Sequence, residues 1–238
     1  MSTDTRNRLL EGTIKALRMQ GIAGVSARTI AAAAGVNQAL IFYHFGSVDE
    51  LLAAATLRST EEQVALYRER FAQVRSLREL RHVGREVRVR EREAGNVAIL
   101  GQLLAGAQTN PVFAAATRDA LRLWIAEIED VLNRVLAGSV LAEVADAPGL
   151  AHAVSASFIG MELMAVVDPE GDDLAAAALD DLGMLAERLD RMSPVTQRAL
   201  RGAVRRTAKK GRAAAGPAAG STGESAGGRA KSGDSEAD

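Results

Sequence analysis

Between Ser26 and Leu52 the chain reads "SARTIAAAAGVNQALIFYHFGSVDELL", a short span that holds three helix start signals and one stop. Ser26 is a good N-cap for "ARTIAAAA", because a serine hydroxyl can accept from a first-turn amide. Gly35 supplies the left-handed conformation that closes a helix, and Asn37 can cap a second short helix through Tyr43. "SVDE" is a capping box, in which Ser47 and Glu50 can each satisfy the other at the start of a helix through Leu51, Leu52 and Leu57. Short helix, glycine turn, short helix is the arrangement of a helix-turn-helix.

The remainder also reads as helix. Alanine, leucine and arginine dominate, β-branched residues are sparse and aromatics make up only 3%, which favours helix over sheet. An all-α fold of nine or ten helices without strands is expected. Leu9, Leu10, Ile14 and Leu17 form one stripe before "GIAG" stops a first helix. From Leu66 to Val87 the positions Phe71, Val74, Leu77, Leu80 and Val83 keep helical spacing, and the alternating charges of "REVRVREREA" read as a solvated face. Gly95 and Pro111 punctuate the next two helices.

Residues 113–136 carry two stripes, one through Ala120, Trp124, Ile128, Val131 and Val135, the other through Leu121, Ile125, Leu132 and Leu136. So broad an apolar face needs more than one packing neighbour. After Pro148, "LAHAVSASFIGMELMAVV" is apolar nearly all round, and the following helix keeps Leu174, Ala178, Leu185 and Leu189 in register. Glu162 is the odd residue there, because its helical neighbours Phe158, Ile159, Ala165 and Val166 are apolar. A buried carboxylate must meet a donor from another helix, a proton, or a cationic ligand.

Composition narrows the function classes. The 238 residues are 47% hydrophobic, ample for a packed core, and contain no cysteine, so disulfides and thiolate metal sites are excluded. No apolar run spans a bilayer and the N-terminus has no signal-peptide pattern, so a cytoplasmic protein without membrane contact is expected. There is no nucleophile elbow, phosphate loop, metal spacing or catalytic carboxylate pair, so no enzyme, cofactor or metal is expected. His82 and His152 lack companion ligands at helical spacing and read as packing or surface residues. The net charge of −1 conceals an asymmetry: residues 198–212 hold 7 Lys+Arg and no acid, while residues 1–197 hold 20 against 26. That basic block is either a solvated tail, a tethered cation for nucleic acid, or a partner for the acidic body. The Gly/Ala/Ser-rich sequence beyond it cannot bury enough surface to fold.

The capped helix, "IA", "AGV", the aromatic pair, "HF" and the "S..EL" helix start resemble TetR-type (tetracycline-repressor-like) transcriptional regulators. The resemblance implies that Ile30, Ala31, Ala34, Val36, Ile41 and Phe45 hold a three-helix core. It places Ser26, Arg28 and Thr29 at a helix N-terminus able to hold a phosphate, and Asn37, Gln38, Ala39 and Leu40 at the start of the recognition helix. Gln38 can pair bidentately with adenine, whereas Ala39 and Leu40 offer apolar contact. Tyr43 and His44 would meet the backbone. Two positions depart from the family: Phe42 stands where a phosphate-binding tyrosine is common, and Val48 where a lysine is common. Residues 1–50 hold five Lys+Arg against four Asp+Glu, so weak phosphate anchoring follows.

The resemblance further implies a DNA-binding domain over 1–50 and a larger helical ligand-binding and dimerisation domain over 51–195, and composition adds the basic segment with its tail over 196–238. Leu103, Trp124, Phe158, Met161 and Glu162 are the candidates for a small-molecule pocket. The expected partners are a near-palindromic double-stranded operator, an effector and a second copy of the chain, as in a ligand-released repressor. The alternative is a helical DNA-binding adaptor or nucleoid-type protein without a ligand switch.

Overall fold

The computed structural model describes residues 2–137, 139, 141–143 and 146–193, together with 195, 196, 198, 199, 202 and 206. Most of the basic block and the whole tail from residue 207 lie outside the described residues. Among the described residues every regular element is helical. Helix α1 spans Ser2–Gly24 and bends at Gly21, whose φ of 67° is in the left-handed region. The "GIAG" break is therefore real, but a last turn continues to Gly24 beyond it.

Helices α2 (Ala27–Ala34) and α3 (Ala39–Phe45) follow, then the long α4 (Val48–Gln73). Leu9, Leu10 and Ala16 of α1 pack with Ile30, Ala31, Ile41, Leu51 and Ala55 into one core, onto which Ala34, Val36 and Phe45 close as half-buried neighbours. Ile30, Ile41 and Leu51 are fully buried, each stabilising the unit by about 1.5–3 kcal/mol. Because Leu51 and Ala55 belong to α4, this small core is continuous with the helix that enters the body.

Helix α4 stops at Val74, which is extended at φ −64° and ψ 128°, and Ser76 caps α5 (Leu77–Glu93) by accepting from the Glu79 amide. The single stripe expected from Leu66 to Val87 is therefore two helices. Val74 and Leu77 keep apolar spacing across the break, and Val74, Phe71, Tyr67, Val83, Val87 and Val131 all meet in the body's core.

Helices α6 (Asn96–Ala107) and α7 (Pro111–Val135) complete the centre, and a short 3-10 turn (Leu141–Glu143) leads to α8 (Ala147–Met164) and α9 (Pro169–Asp190). As its two stripes require, α7 packs on several sides: Val131 enters the core beside Phe71, while Leu132 and Leu136 pack with Ala151 of α8.

The charged face of α5 is not solvated along its length. Arg81, Arg85, Arg88 and Arg92 lie on one stripe and meet Asp180, Glu187, Glu162 and Asp172 of α8 and α9. Burial alone would lower the Arg88 pKa, but hydrogen bonds to Asp172 and Glu162 overcome this and raise it, so its charge is secure. This ionic seam ties α9 to α5 and leaves Leu174, Leu182 and Leu185 of α9 facing outward, at 73%, 61% and 55% exposure.

Candidate nucleic-acid interface

The start of α2 is locked by its own hydroxyls. Ser26 is extended, its Oγ accepts from the Thr29 amide at 3.2 Å, and Thr29 Oγ1 accepts in return from the Ser26 amide at 2.9 Å. This reciprocal cap leaves Arg28 exposed, and among the described residues it has no ion pair or hydrogen-bond partner. A helix N-terminus with a free guanidinium beside it can hold an anion.

The turn after α2 is set from α1. Gly35 takes φ 63° and ψ 40°, and the Val36 amide donates to Ala31 O at 3.0 Å, closing the helix in a left-handed cap. Arg8 of α1 donates to Ala34 O at 2.9 Å and Gly35 O at 2.6 Å. One turn along α1, a Cβ at Gly12 would lie 2.7 Å from the Ala34 Cβ, so only glycine allows this approach. Arg8 and Gly12 therefore fix how α2 lies on α1. Sequence reasoning missed both, because neither has a capping or periodic signature.

Asn37 is exposed and its Oδ1 accepts from the Ala39 amide at 2.8 Å, starting α3 two residues later. Gln38, Ala39, Phe42 and Tyr43 share the outward face of α3 at i and i+4, with Phe42 50% and Tyr43 80% exposed. Ile41 points into the core. Leu40 is half-buried against the same core, so less of it is presented than the sequence suggested. His44 is half-buried with its ring edge-on to Tyr43 at 4.9 Å, and the Arg6 guanidinium sits 4.9 Å over Phe45. Ser47 Oγ accepts from the Glu50 amide at 3.1 Å, while Val48 packs into the core. The surface is thus a short helix presenting an amide, a phenol and an apolar ring, flanked by a cation-bearing helix start.

Residues 9–55 match the family model described as "Bacterial regulatory proteins, tetR family". These residues are thus similar to the N-terminal part of tetR-family regulators. The TetR-like fold extends over most of the chain. A transcriptional regulator of Streptomyces coelicolor A3(2) superposes with a TM-score of 0.60 at 24% identity, covering 75% of this chain and 98% of that one. A TetR-family regulator from Rhodococcus sp. gives 0.61 at 21% identity, over 76% and 99%. A regulator from Saccharomonospora viridis, solved in complex with choline, gives 0.59 at 22% identity, over 75% and 95%. No curated protein matches the chain.

The five residues expected in a TetR-type ligand pocket are only partly brought together. Trp124 and Phe158 join the core cluster of Tyr67 and Phe71, with Trp124 centred 5.7 Å from Tyr67 and 6.4 Å from Phe71. Leu103 is buried outside that cluster and Met161 is half-buried. Glu162 is 1% exposed and bonded to Arg88 and Arg92, so internal cations occupy the place sequence reasoning left open to a cationic ligand. A cavity of about 530 Å³ lies elsewhere, between α1 and α4, over Leu10, Ile14 and Ala55.

The remaining sites of interest are surface features. His82 pairs with Glu86, and His152 Nδ1 lies 2.9 Å from Pro148 O. Among the described residues no three His, Cys, Asp or Glu converge as metal ligands, and no helix is long and apolar enough to cross a membrane.

Proposed function

We propose that the chain is a dimeric, sequence-specific DNA-binding regulator, cytoplasmic and non-enzymatic, that represses a promoter until a small molecule releases it. The observation that carries this reading is the outward face of α3, where Gln38, Phe42 and Tyr43 stand exposed on a helix whose other side is locked into a core. In this reading residues 1–50 read DNA, 51–195 bind ligand and dimerise, and 196–238 form an appendage. Gln38 reads a base, Ala39 and Leu40 make apolar contacts, and Ser26, Arg28, Thr29, Asn37, Phe42, Tyr43 and His44 contact or position the phosphate backbone.

The outward apolar residues of α8 and α9, among them Val154, Leu163, Leu174, Leu182 and Leu185, favour a second copy of the chain. Two readers related by a twofold axis match two half-sites one helical turn apart. Ligand in the body would shift α4 and α6 against the reader and spoil that spacing, a coupling typically of about 1–3 kcal/mol. The bound choline of the S. viridis regulator supports a small-molecule effector for a body of this fold.

Selection of bound sequences from a random DNA pool tests the reading. An enriched inverted repeat is expected. Enrichment of nothing beyond general affinity for DNA would instead favour a nucleoid-type protein.

A further inference from the structure

Glu91 stands apart from the other buried acids of the body. Glu162 and Asp172 each face the guanidinium groups of Arg88 and Arg92. Glu91, 9% exposed, has no ion pair among the described residues. Its Oε1 accepts from the Tyr67 hydroxyl at 2.9 Å and its Oε2 from Asn96 Nδ2 at 2.7 Å, both neutral donors. A buried carboxylate held only by neutral donors is poorly compensated and favours any cation brought to it. Burial first, then the bond to Glu91, pushes the Tyr67 pKa up to about 12, so the phenol keeps its proton and remains a donor.

Tyr67 also opens a row of rings. It lies 5.7 Å from Trp124, which lies 6.4 Å from Phe71, so the phenol that Glu91 accepts from is the first of three successive rings. Trp124 is only half-buried, which brings the row to the edge of the core. A carboxylate bonded to the phenol that opens a row of rings brings together the charge and the aromatic surface that recognise an ammonium group.

The same carboxylate is wired to the reader. Asn96 is the first residue of α6, placed by Gly95 at φ 73°. Its Nδ2 donates to Glu91 while its Oδ1 accepts from Arg18 of α1 at 3.0 Å. Only one orientation of the amide satisfies both neighbours. A second tie from α6, Gln102 Oε1 accepting from the Ile22 amide, holds the end of the same helix.

We propose that Glu91 is the recognition carboxylate for an organic cation, a quaternary or alkyl ammonium, and that the Glu91–Asn96–Arg18 hydrogen bonds carry its occupancy to α1. This rests on the ligand-released reading above and names its ligand class and its route. A cation that draws Glu91 away from Asn96 loosens the hold of Asn96 on Arg18, and with it the seat of α1 on α6.

The test uses the full chain and three probes: choline, benzyltrimethylammonium, and 3,3-dimethylbutan-1-ol, the uncharged isostere of choline. Calorimetry should show a quaternary ammonium binding wild type on the order of tenfold or more tightly than the isostere, with that preference lost in Glu91→Gln. Arg18→Ala should bind the cation as wild type does, but its DNA affinity, already lowered without ligand, should no longer respond to the cation. Equal affinity for choline and its isostere, full cation binding by Glu91→Gln, or no binding of either cation overturns the ligand class. Normal release by Arg18→Ala overturns the route. Release of the selected site by neutral or anionic compounds alone would sink this inference while leaving the ligand-released reading intact; release by no compound of any charge would sink that reading as well.

Discussion

At the scale of single residues, side chains proposed to read bases and side chains proposed to anchor phosphates are expected to differ in kind when lost. Gln38→Ala should cost on the order of 1–3 kcal/mol at one base step and relax preference there, whereas Arg28→Ala should weaken all sequences alike and lower the salt slope by about one. Titration of binding on the selected site and on scrambled DNA at several salt concentrations distinguishes the two. Tyr67 gives a pH signature of its own. Its folded pKa of about 12 exceeds the ordinary value of 10.0, so the unfolded chain loses the proton first. The stabilisation is therefore complete below pH 10 and lost as pH rises toward 12, by at most about 2–3 kcal/mol. Denaturant unfolding should show the advantage of wild type over Tyr67→Phe shrinking across that window. An unchanging difference would show that Tyr67 does not titrate late.

At the scale of elements, local chemistry was legible and distant pairing was not. The starts of α2, α3 and α4 could be read because Ser26, Asn37 and Ser47 each bond an amide two or three residues away. The stop at Val74 was hidden, since Val74 and Leu77 continue the apolar spacing across it, although Ser76 and Glu79 carry a capping pattern that could have shown it. The arginine stripe of α5 looked solvated because its acidic partners lie far along the chain in α8 and α9. Glu162 could be singled out as an anomaly in an apolar helix, yet nothing local named Arg88 as its partner. Glu91 was lost among the alternating charges of α5. The seam makes a prediction at this scale. Glu162→Ala leaves the half-buried Arg88 with Asp172 as its single partner and should destabilise the chain by about 3–5 kcal/mol. Glu127→Ala, which removes the partner of the largely exposed Arg68, should change stability by at most about 1 kcal/mol. Equal effects would show that the seam adds nothing beyond a surface pair.

Across the whole molecule, residues 1–50 hold only five Lys+Arg against four Asp+Glu, so the proposed regulator is expected to need two copies and added cations for tight binding. The basic stretch 198–212, which follows α9 in the sequence, is proposed as a source of added positive charge for DNA. Truncation after Met192 should weaken specific and non-specific binding in similar proportion and flatten the dependence of log K on log salt, with the preferred site unchanged. Unaltered affinity and slope in a well-folded dimer would make the stretch a solvated tail. In the proposed dimer, packing through α8 and α9 would set the distance between the two α3 helices, and the operator would have to match it. Hydroxyl-radical footprinting on the selected site measures that match most directly. The account predicts two equal protected patches, related by twofold symmetry and about one helical turn apart on one face of the duplex. A single patch, or uniform protection without phase, would contradict it.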